Sequence, residues 1–459
     1  MDKYYEDQVE VSSSDPHSHS HNCYHDDITL DGRGVKHDSG SQVKLVSGHS
    51  LAFAIVQDII SGGTIYSVGY PSVQAGTTGS LVMNIVMGIL MTYTADMLIR
   101  WSRGNDPTLH DTLLANQFPK LRLAIEFIGK FSNWAIMYTT MVIQSMMFFR
   151  DSLYSFIFEP YNIDKKWASV TAFLLQTLFS FILRTSFLVK LSAVGFIGAL
   201  VSFFCVIYTG IKETTRESAH CYVESFYKPY GDWNMGISSG IFSTFAYAGV
   251  LASNYFAHGF LALTFSVAAK PKRNRRNCWA GFSIALVYYL IASIVQALPF
   301  ACAKLQPDGN YVPPNAPQDF LLLFKGWVNI LNNVGFIIST LLAFPLIYAV
   351  TRQCSIDVIP LKILHTPQGY RWGSYIYQII LNAVSFAICL TDTSVQMIGM
   401  IGSALGCITW CCWIPIGLDL RMHFINRERK QKYIARWVWY IILGCAVTAM
   451  LLLQFVPSS

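Results

Sequence analysis

Charge is what this chain has least of. Only 13% of its 459 residues are Asp, Glu, Lys or Arg, about half the share in soluble domains. With 53% hydrophobic residues, that scarcity excludes a soluble enzyme with a water-facing shell. Also missing are a phosphate-binding glycine loop, a zinc-ligand spacing and a nucleophile motif, so no covalent chemistry is indicated and the chain does not read as an enzyme. No Asn-x-Ser/Thr acceptor occurs, so N-linked glycans are not expected on outer loops. The polar start holds no signal-like apolar stretch, and insertion is expected to begin at the first apolar run. The net charge of +6 does not point to nucleic acid, because the basic residues lie between apolar runs.

What is there is a succession of apolar runs of spanning length. They are read at 51–76, 78–99, 124–149, 168–184, 190–210, 236–268, 278–302, 320–350, 373–390, 394–417 and 434–456. Eleven crossings make an all-α polytopic protein of the lipid bilayer, its membrane domain at residues 49–459. Residues 1–48 are a polar tail expected to be disordered and suited to docking a cytosolic protein partner. Its cluster of His17, His19, His21, His25 and Cys23 is read as solvated rather than metal-holding. With the N-terminus in the cytosol, Lys and Arg favour the cytosolic loops by about three to one, which fixes the expected orientation.

Two runs are interrupted. In the first, Asp58 to Pro71 brings Ser61-Gly62-Gly63-Thr64, a further glycine and a proline into what should be helix. Bare peptide groups in hydrocarbon cost several kcal/mol each, so such a break must line a cavity or be buried in protein. The sixth run is too long for one straight span and is expected to break near its middle, at Ala248, Gly249, Ser253 and Asn254. Interrupted helices in corresponding places of two five-helix halves point to an inverted-repeat transporter. A zwitterion would set its carboxylate on the amides of Gly62, Gly63 and Thr64, where a half-helix starts. Its ammonium would meet carbonyls from Asp58 to Ser61, and from Tyr247 to Val250 in the sixth run. The bland alternative is that the small residues only allow close helix packing.

Asp58 is the sharpest ionisable residue, a candidate site for a proton, a sodium ion or a cationic side chain. Ser339 and Thr340, ahead of Pro345, could complete an ion site with it. Asn329, Asn332 and Asn333 are expected to line a cavity, and His258 to be a buried, hydrogen-bonded histidine. Asp96, Arg100 and Arg103 are read as interfacial, and Glu126 with Lys130 as an i,i+4 pair. Arg150 and Asp151 are placed at the outer interface and Asp392 at a helix cap. Cys407, Cys411 and Cys412 read as small hydrophobes, while Cys221 and Cys302 are compatible with a disulfide outside the cytosol.

Several motifs in order carry a family resemblance: Gln74-Ala75-Gly76-Thr77-Thr78-Gly79, Met87-Gly88-Ile89-Leu90, Gly249-Val250-Leu251 followed by Phe256-Ala257-His258, and Phe344-Pro345-Leu346. Over about residues 51–350 the chain resembles the amino acid/auxin permease family, most of all its lysosomal, arginine-sensing branch. The resemblance implies eleven helices in a LeuT-like 5+5 inverted repeat, with helices one and six broken. It also implies amino acid substrates, backbone contacts from Gly62, Gly63 and Thr64, and a lysosomal, vacuolar or endosomal membrane, with the plasma membrane as alternative. No cofactor is expected beyond a coupling Na+ or H+. Asp58-Ile59 stands where relatives carry Asn-Thr, Pro71 stands for a proline nearer Gly69, and Leu342 replaces a hydroxyl residue. Those departures weigh against sodium and towards a proton on Asp58 or no coupling. The reading is a secondary active amino acid transporter; the alternatives are a transporter-like amino acid sensor acting through its tail, and a membrane-embedded enzyme.

Overall fold

In the computed structural model, the described residues are 45–60, 66–102, 110–181, 184–214, 240–298, 304–305, 311–312, 324–356, 366–391, 395–425 and 430–453. They are almost entirely helical. The helices are α1 (Gly48–Ile60), α2 (Gly69–Ala75), α3 (Thr77–Trp101), α4 (His110–Asn116), α5 (Arg122–Met146), α6 (Lys165–Ser180) and α7 (Thr185–Thr214). After these come α8 (Gly240–Asn254), α9 (Leu261–Ser266), α10 (Asn274–Ala297), α11 (Trp327–Ile356), α12 (Pro367–Cys389), α13 (Val395–Cys407), α14 (Ile414–Ile425) and α15 (Lys430–Leu453). A two-stranded antiparallel ribbon, β1 (Lys304–Leu305) with β2 (Tyr311–Val312), lies between α10 and α11.

Helices fall where the apolar runs are, because a run without water must satisfy its peptide groups internally. Among the described residues, six helices are long and apolar enough to cross a membrane: Gly79–Trp101, Thr185–Glu213, Pro271–Ala297, Trp327–Ser355, Trp372–Cys389 and Gln431–Leu452. The first run divides into α1 and α2, the sixth into α8 and α9, and the tenth into α13 and α14 around a π-helical turn, Ile408–Trp413. Short α4 was not foreseen. Between α2 and α3, Gly76 takes φ 72°, a left-handed conformation that costs glycine nothing. Ile197, Phe204, Leu178 and Trp439 stand exposed, as residues facing lipid tails should.

Packing follows a regular plan. α1 packs on α7 and α10, and the two-part helix six packs on α13 and α3. α5 packs on α13, and α11 on α7. α6 packs on α11, and α12 on α5, while α3 meets α10, α5 meets α11 and α6 meets α12. At the α7–α11 crossing the two backbones meet directly: a Cβ at Gly198 would lie 2.4 Å from the Gly335 carbonyl oxygen, and one at Gly335 2.8 Å from that of Gly198. Just before α1, Val46 is fully buried and forms a parallel bridge to the chain after α9. Its N–H donates to the Val267 carbonyl at 2.8 Å, and its carbonyl accepts from the Ala269 N–H at 3.0 Å.

Candidate functional site

α1 ends at Ile60, and the chain next appears as a 3-10 turn, Tyr66–Val68, leading into α2. Ser61, Gly62, Gly63 and Thr64 lie outside the described residues. Successive helical residues point about 100° apart, so the last polar turn of α1 addresses three helices at once. The Gln57 amide donates to Ser339 Oγ at 2.7 Å and to the Ser339 carbonyl at 3.0 Å, on α11. Asp58 Oδ1 accepts from Ser192 Oγ of α7 at 3.0 Å, and Oδ2 has no hydrogen-bond partner. The Ile59 carbonyl accepts from the Tyr289 hydroxyl of α10 at 2.7 Å. All three contacts are buried. Thr340 is buried beside Ser339 with its hydroxyl unpaired. Beyond the interruption, Tyr66 donates to Asn332 Oδ1 of α11 at 2.6 Å, between Phe324 and Phe336.

The second interruption is displaced from its expected place. Ala248 and Gly249 continue α8, since one glycine in a buried helix costs only about 1 kcal/mol. The carbonyls of Tyr247 to Val250 are therefore consumed by the helix itself. The turn comes at Tyr255 to Ala257, where the Tyr255 N–H closes on the Leu251 carbonyl at 2.8 Å and that of Phe256 on Ser253 at 3.3 Å. A 3-10 turn, His258–Phe260, then leads into α9. Ser253 and Asn254 sit at this break; Gly249 does not. The Tyr247 hydroxyl is spent inside the bundle, 2.6 Å from Asn84 Nδ2 and 2.7 Å from Ser293 Oγ. His258 is fully buried, 2.8 Å from Thr94 Oγ1 and 3.4 Å from Cys411 Sγ.

The two breaks lie together. α1 packs on α9, and α2 on α8. Tyr289 reaches both ends: its hydroxyl holds Ile59, and its ring meets Tyr255 edge-on at 5.1 Å.

Other polar residues have partners the sequence did not announce. The Asp96 carboxylate is itself buried, gripped by the half-exposed Arg275 at 2.7 and 2.8 Å, Arg100 at 3.0 Å and Trp279 at 3.1 Å. A second buried carboxylate, Asp419, takes Trp101 at 2.7 Å, Tyr440 at 2.8 Å and Arg436 at 3.4 Å. Arg100 spans the two acids, 3.5 Å from Asp419. A carboxylate removed from water needs such pairing. Glu126 pairs with Arg122 at 3.1 Å rather than with Lys130, so that expectation is corrected. Asn333 bonds Asn329 Oδ1 at 2.8 Å on its own helix, so part of the asparagine run is self-satisfied. Cys407, Cys411 and Cys412 are buried and unbridged. Arg103, Cys221, Cys302, Asp392 and the histidine cluster lie outside the described residues, as do the side chains of Arg150 and Asp151. Among the described residues no group of three metal-ligating side chains forms.

Gln57, Ser192 and Tyr289 were missed. Gln57 could have been found, since Gln57-Asp58 is a polar pair in an apolar turn. Ser192 and Tyr289 carry no such mark.

No family model matches the chain, and no curated protein matches it. Solved structures do. A Na+-coupled sialic acid symporter, in a substrate-bound outward-open state, is 11% identical over 90% of this chain and 89% of its own, with TM-score 0.55. A manganese transporter from Eremococcus coleocola is 13% identical over 93% of this chain and 97% of its own, at TM-score 0.48, too low to carry weight. The chain therefore shares its overall fold with a Na+-coupled symporter and is a multi-pass membrane protein.

Proposed function

We propose that this chain is a secondary active transporter of amino acids, a member of the amino acid/auxin permease family, and not an enzyme. The observation that carries the reading is the crosswise pairing of the interrupted helices, α1 on α9 and α2 on α8, with both broken ends resting on Tyr289. A packing plan in which each contact recurs five helices later supports an inverted 5+5 repeat of ten helices with α15 outside it. In that repeat the three runs divided into two elements cross as broken helices, and with α5, α6 and the six long apolar spans they make eleven crossings. The tail faces the cytosol and is the docking arm for a cytosolic partner. The membrane is lysosomal, vacuolar or endosomal.

The substrate zwitterion sits between the two breaks. Its carboxylate takes the amides at 62–64, and its ammonium is held at the second break, around Ser253 and Asn254, rather than at Tyr247 or Gly249. The coupling ion is a proton on Asp58. Sodium is disfavoured because the Ser339 oxygens that would ligate it already accept from the Gln57 amide. Transport proceeds by rocking the group built on α1, α2, α8 and α9 against α5 and α11.

The test is uptake of a panel of labelled amino acids into proteoliposomes at two pH values, with and without sodium. Saturable, pH-dependent and sodium-independent uptake is expected. Asp58→Asn should abolish the pH dependence. Saturable binding without flux would favour a sensor, and sodium dependence would return Ser339 and Thr340 to the ion site.

A further inference from the structure

We infer that Arg352 and Gln378 hold a small monovalent anion of the chloride class in the wedge between α6, α11 and α12. These three helices pack on one another. Arg352 of α11 is 1% exposed, and its Nε has no hydrogen-bond partner. No Asp or Glu occurs anywhere in Lys165–Ser180, Trp327–Ile356 or Pro367–Cys389. α5 also packs on α11; its one acid, Glu126, is paired with Arg122. Among the described residues no carboxylate therefore offsets the Arg352 guanidinium. Arginine stays charged in proteins, and an ionised group taken out of water without a counter-charge costs several kcal/mol. A charged group at such a place inside a membrane protein marks a site until a partner is found for it.

Helical register puts Gln378 beside it. Tyr377 of α12 meets Ser355 of α11 hydroxyl to hydroxyl. Further along, Phe148 touches Phe344 of α11 and Phe149 touches Phe386 of α12. Going back along α11 from 355 to 344 is thus going forward along α12 from 377 to 386, and Arg352 stands level with the turn from Gln378 to Asn382. On that turn, Asn382 Nδ2 donates to Thr177 Oγ1 of α6 at 2.9 Å, and one turn before Gln378 the Tyr375 ring meets Phe181, just past α6, at 5.0 Å. Gln378 follows Tyr377 directly and lies between Tyr375 and Asn382, so it faces the gap between α11 and α6. It is 1% exposed, and neither atom of its amide has a hydrogen-bond partner. Buried polar atoms in native proteins are paired, and here the donors outweigh the acceptors by a full positive charge. Water would accept from both side chains and leave that charge uncompensated; an anion meets both needs. With both side chains shut off from solvent, the occupant is an enclosed ion rather than a lipid headgroup. The site lies about 20 Å along α11 from Ser339 and does not depend on the transport reading.

The test is binding of radiolabelled chloride to the purified full chain in nanodiscs, with thermal unfolding in sodium chloride against sodium gluconate at equal ionic strength. One chloride per chain is expected, with a saturable rise in melting midpoint that gluconate, a bulky anion, does not give. Arg352→Met removes the charge at similar length and should weaken chloride binding more than tenfold, as a charge-assisted bond is lost. Gln378→Leu removes one neutral donor and should weaken it about fivefold. Arg122→Gln removes a guanidinium that is 57% exposed and should bind as wild type. Absence of bound chloride, equal stabilisation by gluconate, or undiminished binding in Arg352→Met overturns the inference. If Arg352→Met does not fold, Gln378→Leu decides, and unchanged affinity there overturns it.

Discussion

Replacing Gln57 by leucine should loosen α1 from α11 by a calculable amount. The amide makes two buried hydrogen bonds to Ser339, at 2.7 and 3.0 Å. Each is worth about 1 kcal/mol by soluble-protein measure, and about 0.6 kcal/mol between membrane helices. Losing both costs about 1 to 2 kcal/mol. Leucine fills similar space, so little cavity cost is added. Ser339→Ala removes only the Oγ acceptor and leaves the carbonyl. A double-mutant cycle of the two exchanges therefore isolates the Oγ bond, with an expected coupling of about 1 kcal/mol. The assay is reversible denaturation in mixed micelles, read by tryptophan fluorescence. Gln57→Asn, one methylene shorter, should behave like leucine because its amide falls short of Ser339. Coupling no larger than the roughly 0.3 kcal/mol expected of independent sites would refute the reasoning.

A second prediction concerns pH. His110 of α4 lies outside the spans and is buried against Ser102, 2.8 Å away, and burial pushes its imidazole from 6.5 down to about 4. The unfolded chain takes up a proton near 6.5 that the folded chain refuses until about 4. Stability should hence fall as pH drops through that window, by about 3 kcal/mol in all. Melting in nanodiscs checks it; His110→Gln should flatten the profile, and a flat wild-type profile would contradict it. A third concerns the α7–α11 crossing. Gly198→Leu puts a side chain where even Cβ would stand 2.4 Å from the Gly335 carbonyl oxygen, so monodisperse protein should be lost in size-exclusion chromatography, whereas Gly417→Ala, whose nearest neighbour is 3.4 Å away, should elute as wild type.

The helices were legible because hydrophobic length is a one-dimensional signal. The apolar runs and the helices coincide to within a few residues at most ends. The division of runs one and six was legible for the same reason, since glycine and excess length are local. Where the second division falls was not. Gly249 looks like a breaker in isolation, but a helix buried against neighbours tolerates it, and the chain turns only where helix gives way to Phe256-Ala257-His258. The partners of polar groups were least legible of all. Asp96 reads as interfacial by its position near a helix end, and nothing local announces that Arg275, nearly 180 residues away, closes on its buried carboxylate while staying half exposed itself. Ser339 was visible as a hydroxyl facing α1, while the donor that reaches it, Gln57, stood unremarked next to Asp58.

The bridge at Val46 has a mechanical side. It is made by peptide groups, so proline cannot stand there, and the buried Val46 side chain asks for a small apolar residue. It also joins the root of the N-terminal arm to the exit of α9 within three residues of sequence, 267 to 269. A pull on Val46 therefore cannot reach α1 without also reaching α9. The strand of chain at 45–47 is thus fastened to both broken helices on one side of the protein.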